Sequence, residues 1–267
     1  MKSETLFSLK QKILILNLVI VVIIFQFVDF SSVGYIKDIE MIKNTVTRLV
    51  AGLIACYVLI SLGHGDLLKW RFSKKTFLII IPALVVAVNN FPIIALLNDR
   101  ASLDEPTYRV ILFFIECFSV GFFEELFFRG LVLIYLVQQF SHKKYGLWIG
   151  LVISSLIFGL FHLVNLFEGA SFGPTVLQVG YSFLMGMLWS VIYLKTGNLW
   201  LVMVLHALYN FFGQVMFYLG NVTNRFDTVT IIITILFALG AALHTAYIIY
   251  GKKVIQFKRM QGEKNEI

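Results

Sequence analysis

Eight runs of apolar residues, near 12–30, 44–62, 77–97, 107–138, 147–165, 176–194, 199–218 and 229–250, leave little of this chain outside stretches long enough to cross a bilayer. A spanning helix takes about 20 such residues. Within hydrocarbon a backbone amide finds no water, so a lone apolar run of this length must satisfy its hydrogen bonds as a helix. The expected fold class is therefore all-α, a polytopic transmembrane helix bundle of about eight spans. Residues 1–267 would then form a single membrane domain, with no room for a separate soluble one. Composition agrees, with 59% hydrophobic and 14% charged residues, far from the balance of a soluble domain.

The run at 107–138 is too long for one perpendicular span, because more than 30 residues at ~1.5 Å each exceed a hydrocarbon core of ~30 Å. It must tilt, protrude or break near Gly121. The opening segment MKSETLFSLKQK resembles the charged start of a secretory signal, yet its apolar stretch is too long and no small-residue cleavage site follows. It is read as a retained first helix.

Lys and Arg divide unevenly between alternate loops. Fifteen fall on the side of the two termini, among them Lys69, Arg71, Lys74, Lys75, Lys143, Lys144 and Lys195, against Lys37, Lys43, Arg100, Arg109 and Arg225 on the other. Cytoplasmic loops carry this excess, so both termini are expected in the cytoplasm and the chain in a plasma membrane. The Lys-over-Arg bias fits a bacterial source. The pI near 9.3 is a by-product of topology and no sign of nucleic-acid binding, since no dense basic patch interleaved with aromatics exists. The partners expected are membrane lipid and a membrane-associated peptide or protein. Cys56 and Cys117, the two cysteines, sit in apolar runs without metal spacing and read as packing residues.

Against this apolar background three strings stand out: EELFFR at 124–129, FGLFH at 158–162 and HALYN at 206–210. A charge at the bilayer centre costs about 2.5–3.5 kcal/mol on insertion scales, so several together mark a site. Glu124 and Glu125 point about 100° apart on a helix and need different jobs. Arg129 lies four residues after Glu125, where side chains meet on one face, so those two can pair internally. That leaves Glu124 to face a cavity as a general base on water. His162 has Phe158 one turn earlier on its face, and His206 has Asn210 one turn later. A neutral imidazole can deprotonate water or bind a metal, and a His/Asn pair can donate hydrogen bonds to an oxyanion. His64, His142 and His244 lack such partners and receive no role.

In order, EExxxR, FxxxH and HxxxN, each inside an apolar run, resemble the CPBP family of membrane proteases, which covers type II CAAX prenyl endopeptidases and bacterial bacteriocin-processing or immunity proteins. The resemblance covers roughly 107–215, that family's catalytic core. It implies that Glu124 and His162 activate water, that His206 and Asn210 stabilise the oxyanion, and that Glu125 and Arg129 support them. The family is described both as metalloprotease and as metal-free glutamate protease, so Zn2+ stays open, with Glu124, His162 and His206 as its candidate ligands. The function expected is an intramembrane endopeptidase cleaving near the cytoplasmic leaflet. The alternative is a non-catalytic bacteriocin-immunity or regulatory scaffold.

Other intramembrane protease chemistries lack their residues: there is no HExxH and no GxSxG. GHGD at 63–66 matches an aspartyl-protease string, but it lies in a basic loop without a second aspartate in an apolar run, and reads as a turn. Counted from the basic ends of their runs, Glu124 and His162 lie about 22 Å deep and His206 about half that. Tilts or a re-entrant seventh segment are expected to reconcile them.

Overall fold

The computed structural model describes residues 34–167 and 169–251, together with 16, 17 and 20; the run at 12–30 lies almost wholly outside them. Helices dominate, as expected. Helix α1 is Ile36–Ser61, α2 is Lys74–Asn89 and α3 is the short Ile93–Leu97. Helix α4, Thr107–Glu125, continues through a π-helical stretch, Leu126–Leu133, into α5, Ile134–Gln139. Helices α6 (Gly146–Phe161), α7 (Phe172–Thr196), α8 (Leu199–Tyr218) and α9 (Thr228–Gly251) complete the bundle. Among the described residues five helices are long and apolar enough to cross a membrane. The helix starting at Thr107 is also long, but carries Arg109, Glu116, Glu124 and Glu125.

Local chemistry sets several boundaries. Ser73 and Thr76 form a reciprocal capping box that starts α2. Gly197, at φ +62°, ends α7 in the left-handed conformation that glycine adopts without penalty. Next to it, Asn198 caps α8 by accepting from the Leu201 N–H at 3.1 Å, so two residues reverse the chain. The His64–Leu68 segment is a turn leading into a 3-10 helix, consistent with the reading of GHGD.

One element departs from the all-α expectation. Ala101–Leu103 (β1) and Gly220–Val222 (β2) pair antiparallel, with Ala101 opposite Val222. This ribbon ties the segment before α4 to the segment after α8. It is reinforced by an Arg100–Asp227 ion pair at 2.5 Å and by Arg109, which pairs with Asp38 and Glu105. Its strands are three residues long with no apolar alternation of their own, so only the loops' arrival side by side makes them strands.

The long run does not break at Gly121. A Cβ at that position would stand 2.6 Å from the Met203 carbonyl oxygen, so this glycine is where α4 and α8 touch backbone to backbone. Further along, Gly130 lies level with the Leu199 side chain, yet the helix runs on to Gln139. Those nine further residues carry it about 14 Å past the start of α8. The overshoot is the reason the counted depths disagreed. Helix α8 is continuous and not re-entrant.

The core lies between α1, the α4–α5 helix, α7 and α8. Leu59, Leu126, Leu133, Trp189, Tyr193, Val202 and Leu205 are all essentially inaccessible there. A smaller cluster of Met41, Phe113, Cys117, Val215, Met216 and Leu219 sits beneath the ribbon. Both cysteines are free.

Candidate active site

Glu124 and Glu125 close α4, directly before the π-helical stretch. A π-helix bonds i to i+5 and turns less per residue than an α-helix, which is why such segments recur at functional sites. Arg129 lies within this stretch, four residues after Glu125. Their ion pair forms as the spacing predicts, Nη1 to Oε1 at 2.8 Å, with both side chains at most 1% exposed. Arg129 also donates to the Gly186 carbonyl of α7 at 3.3 Å, and its guanidinium lies 4.4 Å over the Phe158 ring. The cation is thus held by a carboxylate, a carbonyl and a π face.

Glu125 has a second partner that its sequence position does not announce. Its Oε1 lies 2.7 Å from His206 Nδ1, from α8. A carboxylate only accepts, so His206 donates through Nδ1–H. The other ring nitrogen, Nε2, is turned toward Glu124 Oε2 at 3.7 Å. The imidazole is clamped flat against Trp189, with ring centroids 6.2 Å apart and planes 22° apart, and the Phe158 ring meets it edge-on. Glu124 Oε2 and Glu125 Oε2 are buried oxygens with no hydrogen-bond partner.

His162 caps the C-terminal end of α6 and begins a 3-10 turn. Its Nδ1 lies 3.0 Å from the Phe158 carbonyl oxygen. A carbonyl cannot donate, so Nδ1 carries the proton and Nε2 keeps a lone pair, 3.5 Å from the Ser182 hydroxyl. Asn210 stands one turn beyond His206.

Glu124, His162, His206 and Asn210 all line one cavity of about 680 Å³. Glu125 and Arg129 are not in its wall and sit behind it; Phe158 is in the wall. The same cavity is lined by polar residues that the motif analysis passed over. Glu116 is buried and accepts from Asn44 at 2.9 Å and Arg48 at 3.1 Å. Arg225 reaches in from the segment between β2 and α9, bonding to the Asn90 carbonyl and, at 2.9 Å, to the Gly213 carbonyl. Arg48 and Glu116 carried the signal that could have found them, ionisable groups inside apolar runs. Arg225 carried none, because it lies in a loop.

A zinc site asks for three or four donors about 2.0–2.3 Å from one point. The three candidates do not meet that demand. His206 and His162 are each held through Nδ1, by Glu125 and by the Phe158 carbonyl, the way a ligating histidine is ordinarily oriented, but three such donors do not come together at one point. Among the described residues no group of three or more His, Cys, Asp or Glu could hold a metal ion.

Residues 106–212 match the family model of Rce1-like type II CAAX prenyl endopeptidases. A curated relative, CAAX prenyl protease 2 of Saccharomyces cerevisiae, is 27% identical over 163 residues, which is 54% of this chain and 52% of that protein. The chain thus aligns with about half the length of that relative. No solved structure matches.

Proposed function

From a core at residues 106–212 of the Rce1-like type II CAAX prenyl endopeptidase family, we propose that this protein is an intramembrane endopeptidase that hydrolyses a peptide bond of a membrane-associated peptide or protein. The observation that carries the reading is the convergence of Glu124, His162, His206 and Asn210, from three separate helical segments, on one cavity in an otherwise apolar bundle. Burying such groups is costly unless they serve a purpose.

Glu124 acts as general base, through the oxygen that has no hydrogen-bond partner. A water between Glu124 and Nε2 of His162 is oriented by both. As its oxygen attacks the peptide carbonyl, its proton passes to Glu124. The tetrahedral oxyanion is met by Nε2–H of His206 and by the Asn210 amide. Glu124 then returns the proton to the leaving nitrogen, the C–N bond breaks, and a carboxylic acid and an amine depart, exchanging the acid's proton to become carboxylate and ammonium.

His206 can donate through Nε2 only as an imidazolium, because Nδ1 already donates to Glu125. Glu125 is thus a positioning residue, fixing the ring's orientation and stabilising its charge. Arg129 in turn holds Glu125.

The test is cleavage of a membrane-anchored peptide library by purified protein, read by mass spectrometry. Wild type yields products and Glu124→Gln, which keeps shape and loses only the base, yields none. Equal products from both would remove Glu124 from its role. No products from either folded protein would move the assignment to a non-catalytic immunity or regulatory scaffold.

A further inference from the structure

The cavity reaches toward only one end of the bundle. Its lining residues that lie beyond the long helices are Asn90, His162, Asn165, Arg225 and Phe226, all from the segments following α2, α6 and β2. The opposite loops, 62–73, 140–145 and 197–198, contribute none. Toward that opposite end the site is sealed by Leu126, Leu133, Tyr193, Leu199 and Val202, each at most 2% exposed. Beneath them the chain is stitched shut, with Asn198 donating to the Arg71 carbonyl at 2.6 Å and Trp200 to the Leu68 carbonyl at 2.8 Å. At the open end the wall meets the exterior between the N-terminal part of α7 and the segment before α9, where Leu177 is 70% and Phe226 68% exposed. The mouth is polar enough for water: Asn165 donates to Gln178 at 2.9 Å across it, beside Gln214 and Arg225.

The two ends also differ in charge. The sealed end carries Lys69, Arg71, Lys74, Lys75, Lys143, Lys144 and Lys195, with Asp66 as its acid in those loops. The open end holds Lys37, Lys43, Arg100, Arg109 and Arg225 against Asp38, Glu40, Asp99, Asp104, Glu105, Glu168 and Asp227. By the positive-inside rule the sealed end faces the cytoplasm.

We propose that the cavity opens on the non-cytoplasmic side, and that it receives a peptide segment of an exported or outer-leaflet-anchored protein. This differs from the cytoplasmic-leaflet site expected from sequence, which had no means of telling which end of the bundle was plugged. The opening follows from the cavity and the charges alone; that the visitor is a substrate rests on the endopeptidase reading above.

The two are tested apart by cysteine labelling. In a Cys56→Ala, Cys117→Ala background, Gln178→Cys and Phe226→Cys at the mouth and Lys143→Cys at the sealed end are each treated with a membrane-impermeant sulfonated maleimide, in intact cells and after permeabilisation. The mouth positions should react in intact cells and Lys143→Cys only after permeabilisation. The reverse pattern overturns the proposal, as does a Gln178→Cys that stays unreactive under both conditions while Phe226→Cys labels. Should Gln178→Cys fail to accumulate, the Phe226→Cys and Lys143→Cys pair still decides the sidedness. Labelling as expected from a wild type that cleaves nothing would remove the endopeptidase reading and leave the opening intact.

Discussion

Replacing Arg129 by Met keeps much of its length and removes its charge, leaving Glu125 as a buried carboxylate whose remaining partner is His206. Removing one member of a buried ion pair costs about 3–5 kcal/mol. The lost bond to the Gly186 carbonyl, at 3.3 Å, and the guanidinium over Phe158, at 4.4 Å, act in the same direction. These contributions are coupled and do not add, so the expected loss stays on the order of 3–5 kcal/mol, a large share of a typical 5–15 kcal/mol total. Adding Glu125→Gln removes the stranded charge, and a neutral pair of similar shape is often no worse than the ion pair it replaces. The double variant should therefore recover most of the stability. It should not recover turnover, because Gln offers His206 an acceptor without a negative charge. Thermal unfolding in detergent, membrane abundance and peptide cleavage are measured on wild type, both single variants and the double. A stable Arg129→Met single variant, or a double no better than that single, would refute the reasoning.

Gly121→Ala places a methyl 2.6 Å from the Met203 carbonyl oxygen and should cost about 1–3 kcal/mol. Turnover should fall more than stability, since the substitution parts the helices bearing Glu124 and His206; equal turnover in a stable variant contradicts this. Cleavage should survive treatment with a metal chelator, and loss restored by Zn2+ would reassign Glu124, His162 or His206 as ligands. The Thr230 backbone N–H, followed by Arg100, holds the Asp227 carboxyl down at about 2 from an ordinary 3.8. Bonds from Lys37 and then Arg109 likewise lower Glu105. Both are charged in the fold at pH values where the unfolded chain would protonate them. Their contribution is thus complete above the ordinary carboxylate range and drains away as pH falls, for Asp227 toward about 2. Amide exchange in the Ala101–Leu103 and Gly220–Val222 ribbon, corrected for intrinsic rates, should quicken over that window, and Asp227→Asn should flatten the change.

The helices, from the second run onward, were legible from apolar length, five of them long and apolar enough to cross a membrane, because hydrocarbon permits few backbone solutions. So was the Glu125–Arg129 pair, since helical spacing fixes which side chains meet. The groups that stand behind the site were not legible, because contacts between distant helices leave no local periodicity. Glu125 could be paired with Arg129 by counting, but its bond to His206, 81 positions away, needed α4 and α8 laid together at Gly121. Sequence alone determined the membrane bundle, its charge asymmetry and the identity of the four polar side chains. Tertiary structure decided that they share one cavity, which end of that cavity is plugged, and that Arg225 reaches it. The physical reason is that burial and enclosure belong to several helices at once, whereas length, charge and i, i+4 spacing belong to one.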